Sequence, residues 1–237
     1  LFLERICWNK VDHFITVSPS IIDWYRQNLG DKPCSLILNS PKVKKYNVIK
    51  NNTVRKEDYF HQKYQIPPEK FVFLYIGSLG EGRGIDLIVD VFKSNFKSHL
   101  VFLGSGRLSH DLKILSKKYM NIHVHDMVTN DKVVEIAKSA DVGLCLIQNV
   151  SLSDYYCLPN KLFEYCFAGI PVIASKFPDI SKVVNQYKLG LSVDLNIEDI
   201  AEGVRQFESD ELGVNFSVSD LSELSWETQE LKLKKIY

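Results

Sequence analysis

The sequence lacks three features that would assign it to a common class. It has no excess charge, because 29 Lys and Arg residues balance 29 Asp and Glu residues, and a chain without a net positive field is not expected to bind nucleic acid. Its five cysteines are odd in number and contain no Cys-x-x-Cys pair, which argues against disulfides or a zinc ribbon and favours the reducing cytoplasm. Its apolar runs, such as 71–76 and 142–147, are far shorter than the roughly 20 residues of a membrane helix.

What the sequence does contain is a regular alternation of short apolar runs and helical segments. After residue 70, strands are predicted at 71–76, 99–103, 122–125, 142–147 and 172–174, and helices at 84–92, 108–118, 131–139, 159–168, 178–186, 197–207 and 226–237. This alternation predicts an α/β fold with a doubly wound, Rossmann-like parallel sheet. Ligands of such sheets bind at the carboxyl ends of the strands, so four loops are predicted to open on one crevice: 77–84, 104–106, 126–130 and 148–158.

The chain divides into four parts. Two short strands and two helices in residues 1–45 bury little by themselves, so we interpret this part as the end of a domain whose beginning is absent. Residues 46–66, rich in Lys and Asn, are predicted to be a linker. Residues 67–210 form the Rossmann-like domain, and residues 211–237 form a closing C-terminal helix.

The stretch 157–175 is predicted to be a helix followed by a strand. Pro159 suits the first helical turn, and Gly169 suits the residue after the helix end. Lys161 and Glu164 are three residues apart and therefore share one face near the helix start. A helix start presents free N–H groups and a partial positive charge, which attract phosphate. The alternative is that Lys161 and Glu164 form a surface ion pair of little energetic value.

Two glycine-containing loops favour a phosphate-bearing ligand. The loop 77–84 has four glycines in eight residues, so its N–H groups can hold a diphosphate while Arg83 acts as a bidentate clamp. It fits neither the Walker pattern nor Gly-x-Gly-x-x-Gly, and a flexible turn is the alternative. The second loop, Gly104 to Gly106, has no bulky side chain to block a base or a ribose, whose hydroxyls the carboxylate of Glu164 can bind.

Together these segments resemble a known family. The resemblance is carried, in this order, by residues 73–79, 83–87, 103–106, 140–144, 159–165 and 169–175. They are similar to the nucleotide-sugar-binding, C-terminal domain of GT-B glycosyltransferases, most closely family 4. Residues 16–18 and 37–39 resemble the end of that family's first, acceptor-binding domain, and residues 225–227 with Tyr237 resemble its closing helix.

The resemblance implies that a hexose is transferred from a nucleotide diphosphate sugar to a glycan or lipid-linked acceptor. It also implies retention at the anomeric carbon and no bound metal or other cofactor. The acceptor is expected to bind the missing first domain, so this fragment alone is expected to be inactive. A peripheral contact with the inner face of the membrane is left open.

The family's functional residues can be assigned by position. Arg83 takes the place of the diphosphate-binding Lys, Glu164 that of the second Glu of the Glu-x7-Glu motif, which contacts ribose, and Lys161 is expected to be a compensating cation. Two positions depart from the pattern: Ser78 replaces a phosphate-binding Arg, and Tyr156 replaces the first Glu, which faces the donor sugar. We therefore expect Arg83, Lys161 and Glu164 to be catalytic. Substrate-binding residues are expected to be Gly77, Ser78, Gly104, Gly106, Met127, Tyr156 and Asn160.

Other interpretations are weighed beside this one. The chain could be a non-catalytic nucleotide-binding module that lost the first Glu, or a GT-B-fold epimerase that acts on the nucleotide sugar itself. His123 and His125 share one face of a strand, but packing is favoured over a metal site because no third ligand lies near them. Tyr155 and Tyr156 either stack on the sugar or belong to the core.

Overall fold

The computed structural model describes residues 2–42, 58–94, 97–209, 211–214 and 216–236. A small unit forms at the start of the chain, from helix α1 Phe2–Trp8, strand β1 Phe14–Thr16, helix α2 Pro19–Leu29 and strand β2 Cys34–Leu36. The two strands pair in parallel. Aromatic rings fill the space beside them, since the ring of Tyr25 lies 5.3 Å from that of Trp8 and 4.5 Å from that of Phe14.

Hydrogen bonds join this first unit to the rest of the chain. The buried hydroxyl of Ser18, just before α2, donates to the carbonyl oxygen of Tyr156 at 2.5 Å. The N–H of Ser20 donates to the carboxylate of Asp179 at 3.1 Å. The start of α2 is therefore held against two segments that follow the strands of the second domain.

Part of the predicted linker 46–66 is folded. Residues 43–57 lie outside the described part of the chain, but Tyr59–Tyr64 form helix α3. Phe60 and Ile66 are buried in the core of the second domain. The linker prediction is therefore wrong for this end of the segment. Although the residues before it are rich in Lys and Asn, the burial of two apolar side chains stabilises folded structure here.

The sheet of the second domain has six strands, one more than the five that the alternation predicted. They are β3 Val72–Ser78, β4 His99–Ser105, β5 Ile122–His125, β6 Val142–Cys145, β7 Val172–Ser175 and β8 Gly190–Val193. All neighbouring pairs are parallel, and the order across the sheet is β5-β4-β3-β6-β7-β8. The predicted α/β, doubly wound fold is confirmed.

Helices cover both faces of this sheet. One face packs against α4 Ile85–Ser94, α5 Ser109–Lys118 and α10 Ile197–Glu208, and the other against α6 Asn130–Ala137, α8 Asn160–Ala168 and α9 Pro178–Gln186. A short helix, α7 Leu152–Tyr155, was not predicted. Along β3 the apolar side chains alternate: Phe73 and Tyr75 enter one core, whereas Leu74 and Ile76 enter the other.

The predicted closing helix 211–237 is shorter than expected. A 3-10 helix at Val218–Leu224 precedes helix α11 Trp226–Leu233, and Tyr237 lies outside the described residues. In the part of the chain that the structure covers, no helix is both long and apolar enough to cross a membrane.

The two histidines predicted to share a strand face make different contacts. His123 Nε2 lies 2.9 Å from Nδ1 of His99, and its ring stacks on Tyr64 at 4.5 Å. Burial lowers the pKa of His123 to about 4. His125 instead forms a 2.7 Å hydrogen bond with the hydroxyl of Tyr59. Both histidines therefore take part in packing between β5 and the neighbouring elements.

Strand β3 lies at the point in the sheet where the order in which successive strands are added reverses. The chain passes from β3 to β4 and β5 on one side, then crosses back to β6, β7 and β8 on the other. In open α/β sheets, ligands bind in the crevice at the carboxyl ends of the strands beside such a switch point.

Tyr165 fixes helix α8 at this switch point. Its hydroxyl donates to the carbonyl of Leu74 in β3 at 2.9 Å, with the carbonyl of Leu144 in β6 at 3.2 Å, and it accepts from the N–H of Ile76 at 2.9 Å. Its ring lies over Gly143, where an added Cβ would come within 2.3 Å of the ring. Only glycine at this position lets α8 approach the sheet closely enough.

We expect Tyr165→Phe to lower the free energy of unfolding by about 1–3 kcal/mol, because the buried N–H of Ile76 loses its hydrogen-bond acceptor. Denaturant unfolding measures this change. Tyr119→Phe is the control, since no hydrogen bond of its hydroxyl is seen within the described residues, and should change stability by less than about 0.5 kcal/mol. Equal effects of the two substitutions would contradict the anchoring role.

Candidate functional site

A cleft of about 620 Å³ opens at the carboxyl ends of β3 and β4, beside the switch point. The ends of these strands, the loop after β5 and the start of α8 form its walls. Eight of the predicted site residues line it: Gly77, Ser78, Arg83, Gly104, Met127, Asn160, Lys161 and Glu164. Segments far apart in the sequence are thus brought to one place.

The floor of the cleft is main chain. Strands β3 and β4 pair with Gly77 opposite Gly104. A Cβ on Gly104 would lie 1.9 Å from the carbonyl oxygen of Gly77, so only glycine fits. Because neither residue carries a side chain, a ligand is free to approach the backbone here.

Helix α8 forms the wall that carries the charge. It ends before Gly169, whose left-handed φ of 75° suits glycine, as the sequence predicted. It begins after Pro159, which is the N-cap residue and not part of the first turn as predicted. Leu162, Phe163 and Cys166 on its buried face enter the core. The opposite face turns Lys161 and Glu164 to the cleft.

Lys161 is the most unusual group of the site. Its side chain is buried, with 8% of its surface exposed, and its ammonium nitrogen has no hydrogen-bond partner in the described part of the chain. The nitrogen lies 3.6 Å from the ring centroid of Tyr75, in a cation–π contact. Burial lowers the pKa of Lys161 to about 8, and the positive charge of Arg83 adds to this effect while Cys145 and Glu164 oppose it. The alternative of a surface ion pair with Glu164 is therefore wrong.

Glu164 lies where two cavities meet. A second cavity of about 400 Å³ shares Asn130, Asn160 and Glu164 with the cleft, and its other walls include residues 39–42 and Trp226. Burial raises the pKa of the Glu164 carboxyl, whereas the charge of Lys161 lowers it. The carboxylate is thus placed to accept hydrogen bonds from a ligand that extends past the start of α8.

Arg83 enters the cleft from the glycine-rich loop, just before α4. The loop must pass close to the segment after β6, because a Cβ on Gly84 would lie 2.7 Å from the carbonyl oxygen of Leu146. Nη1 of Arg83 lies 3.3 Å from Oδ1 of Asp154. Arg83 and Lys161 are the two cationic side chains among the described residues that line the cleft, so this pocket suits a ligand with more than one negative charge.

Two predicted site residues do not line the cleft. Tyr156 lies in a different cavity of about 240 Å³, beside Trp24 and Tyr25 of α2, because α7 and the hydroxyl of Ser18 hold its backbone facing the first unit. Gly106 instead allows the loop after β4 to lie against the backbone of Leu79, since a Cβ on Gly106 would lie 2.4 Å from the carbonyl oxygen of Leu79.

The fourth predicted loop, 148–158, supplies no residue to the lining of the cleft, contrary to the prediction; the loop instead places Asp154 in contact with Arg83, which does line it. Tyr155, next to Asp154, packs against Phe177 at a ring distance of 5.0 Å and joins the core. Sequence reasoning missed Asp154 and Tyr75 as parts of the site. The Ser151-x-x-Asp154 pattern, typical of a helix N-cap, was the available signal for Asp154; nothing in the sequence indicates that Tyr75 lies under Lys161.

We expect Lys161→Met to stabilise the unliganded protein and to weaken anion binding. Removing a buried ammonium without a hydrogen-bond partner should raise the free energy of unfolding by about 1–3 kcal/mol. Affinity for inorganic pyrophosphate, measured by calorimetry, should fall by about tenfold or more. Lys176→Met is the control: this exposed lysine pairs with Asp194 on the surface, and both quantities should stay nearly constant. Unchanged pyrophosphate affinity in Lys161→Met would contradict the role of this ammonium.

Comparison with known proteins identifies the family and the fold. The family model described as "Glycosyl transferases group 1" matches residues 56–220, more than half of the chain. The search of curated protein sequences found no match to this chain.

Several solved structures have the same fold. Sucrose-phosphate synthase from Thermosynechococcus elongatus has 17% identity and a TM-score of 0.74, over 100% of this chain and 60% of its own. A glycosyltransferase from Rickettsia africae has 15% identity and a TM-score of 0.73, over 99% and 66%. The Anabaena protein HepE in complex with UDP-glucose has 11% identity and a TM-score of 0.72, over 95% and 63%.

At these identities the likeness shows the fold, and this chain spans 60–66% of the length of the three structures. The match of the family model, over more than half of the chain, also shows the family. The chain belongs to the glycosyl transferases group 1 family and has the Rossmann-like fold of the C-terminal domain of GT-B glycosyltransferases.

Proposed function

We propose that this chain is the donor-binding part of a glycosyltransferase and binds a nucleoside diphosphate sugar. The observation that carries the proposal is the buried ammonium of Lys161, which has no hydrogen-bond partner among the described residues and faces the cleft beside Arg83. A buried charge without a partner is costly, and a diphosphate would satisfy it. The similar fold of HepE, which binds UDP-glucose, supports the same ligand class.

The shape of the cleft suggests how the donor lies. We place the diphosphate between Lys161 and Arg83, over the main-chain floor at Gly77. The ribose then lies near Glu164, one helical turn further along α8, where the carboxylate accepts hydrogen bonds from the hydroxyls. The base has an apolar wall available, formed by Leu103, Val128 and Val133.

The same groups would stabilise the leaving group. Departure of the sugar leaves negative charge on the nucleoside diphosphate, and preorganised cations and N–H donors lower the free energy of the transition state in which this charge develops. Arg83 and Lys161 would supply this stabilisation without a metal ion. We therefore propose a metal-independent reaction.

Finer aspects of the function rest on the motif resemblance alone. We propose that a hexose is transferred with retention at the anomeric carbon, to a glycan or lipid-linked acceptor. The acceptor would bind residues outside this chain, so the chain alone would not complete the transfer. We place the reaction in the cytoplasm, at the inner face of the membrane where the acceptor is lipid-linked.

A second candidate is a non-catalytic nucleotide-binding module. The observation that favours it is the position of Tyr156, which stands where the family has its first Glu and lies in another cavity, away from the cleft. In this candidate the diphosphate binds as above, but no group selects the sugar.

Calorimetric titration of the full-length protein with UDP, GDP and ADP, and with their sugar conjugates, should separate these candidates. We expect one nucleoside diphosphate to bind without Mg²⁺ and its sugar conjugates to differ in affinity, because the site provides its own cations. Equal affinity for all sugar conjugates would favour the module, and binding only with Mg²⁺ would contradict the metal-independent proposal. Product analysis then tests for an epimerised donor.

Arg83→Ala in the full-length protein should lower the rate of sugar transfer about 100-fold or more, or roughly 2.7–4 kcal/mol, as expected for the loss of a preorganised donor. The release of nucleoside diphosphate from the donor measures this rate. Arg205→Ala serves as the control, because Arg205 forms an exposed ion pair with Glu202 on α10, and its rate should be unchanged. Turnover that persists in Arg83→Ala would refute the role of the guanidinium.

A further inference from the structure

The guanidinium of Arg83 has a partner that the family resemblance does not assign. Its Nη1 lies 3.3 Å from Oδ1 of Asp154, and the two side chains are 39% and 19% exposed. A single, partly exposed contact of this kind adds little to the free energy of unfolding. Because it involves a side chain that lines the cleft, the contact indicates a different role.

The carboxylate of Asp154 is held by Ser151, and the backbone of α7 is fixed at both ends. Its Oδ2 accepts a 2.6 Å hydrogen bond from the hydroxyl of Ser151, and that hydroxyl accepts the N–H of Asp154 in return. At the other end of the helix, the carbonyl of Tyr156 accepts the hydroxyl of Ser18. Asp154 is therefore a fixed point, toward which a long and flexible arginine side chain is directed.

Among the described residues, the contact leaves most of the guanidinium free. Arg83 has five N–H donors and gives Asp154 one contact, through Nη1. The remaining donors are available to a ligand in the cleft. An arginine already held in one orientation loses less side-chain entropy when it binds an anion than a freely rotating one.

We propose that Asp154 is a positioning residue that holds Arg83 in the orientation that binds the diphosphate of the donor. The proposal rests on the proposed function, since it needs a diphosphate in the cleft. Asp154 is itself negative and close to the proposed diphosphate, so its direct electrostatic effect on the ligand is repulsive. It favours binding only through Arg83, and this opposition of sign makes the proposal testable.

A double-mutant cycle on nucleotide affinity separates the two effects. The full-length protein is titrated with UDP, or with GDP or ADP where the unsubstituted protein prefers one of them. With Arg83 present, Asp154→Asn should weaken binding about threefold to tenfold, because the guanidinium is no longer oriented. In the Arg83→Ala background the same substitution should leave the affinity unchanged or raise it, because only the removal of repulsion remains.

Three further variants show that the effect comes from position. Ser151→Ala, which frees the carboxylate of Asp154, should weaken binding in the same direction, and Asp154→Glu should restore part of the affinity. Asp90→Asn is the matched control: Asp90 pairs with Lys93 on the exposed face of α4, and its loss should not change nucleotide affinity. Thermal unfolding should show all variants folded, with closely similar midpoints.

The possible outcomes are distinct. If Asp154→Asn changes the affinity by the same factor with and without Arg83, or tightens binding with Arg83 present, Asp154 does not act through the arginine and the proposal is overturned. If the unsubstituted protein binds none of the three nucleotides, the proposed function itself fails. A loss of affinity confined to the protein that has Arg83 supports the proposal.

Discussion

The hydrogen bonds of the Tyr165 hydroxyl are the constraint on which the site depends. They tie the middle of α8 to the backbone of β3, with a carbonyl of β6 also in reach, at the point where the order of the sheet reverses. Because Lys161 is one turn before Tyr165 on the same helix, this attachment places the ammonium over Tyr75 and beside Gly77. The missing side chain of Gly143 is what makes the attachment sterically allowed.

The site is built at the expense of stability. Helix α8 buries the ammonium of Lys161, which has no hydrogen-bond acceptor among the described residues. This burial raises the free energy of the unliganded fold. The face of Tyr75 offsets part of this cost, and burial also lowers the pKa of Lys161. In the proposed complex, a diphosphate in the cleft would offset this cost.

The architecture could be predicted from the sequence because the period of the apolar residues changes regularly between strand and helix. Pro159 and Gly169 marked the ends of α8 for backbone reasons that hold in any context. Strand β8 was missed, since residues 190–193 contain Gly and Ser and are only partly buried. Helix α3 was missed because its stability comes from burying Phe60 in a distant core, which no local pattern reveals.

The location of the site could also be predicted from the sequence, but not all of its side chains. Loops that follow parallel strands must meet at one edge of the sheet, so Arg83, Gly104 and Lys161 could be brought together by topology alone. The directions of side chains in a loop could not be predicted in this way. Tyr156 faces another cavity because a hydroxyl of the first unit binds its backbone. Asp154 contacts Arg83 from a short helix that begins after Ser151.

The glycine floor restricts how such a protein can diverge. At Gly104 in this floor, and at Gly106 just outside the cleft, any side chain would collide with a neighbouring carbonyl group. The collision is with backbone, which no compensating side-chain replacement can move. Variation in the lining of the cleft is therefore confined to side chains at the rim, at exposed positions such as Met127 and Asn130. Such changes can alter which ligand fits while the main-chain floor stays the same.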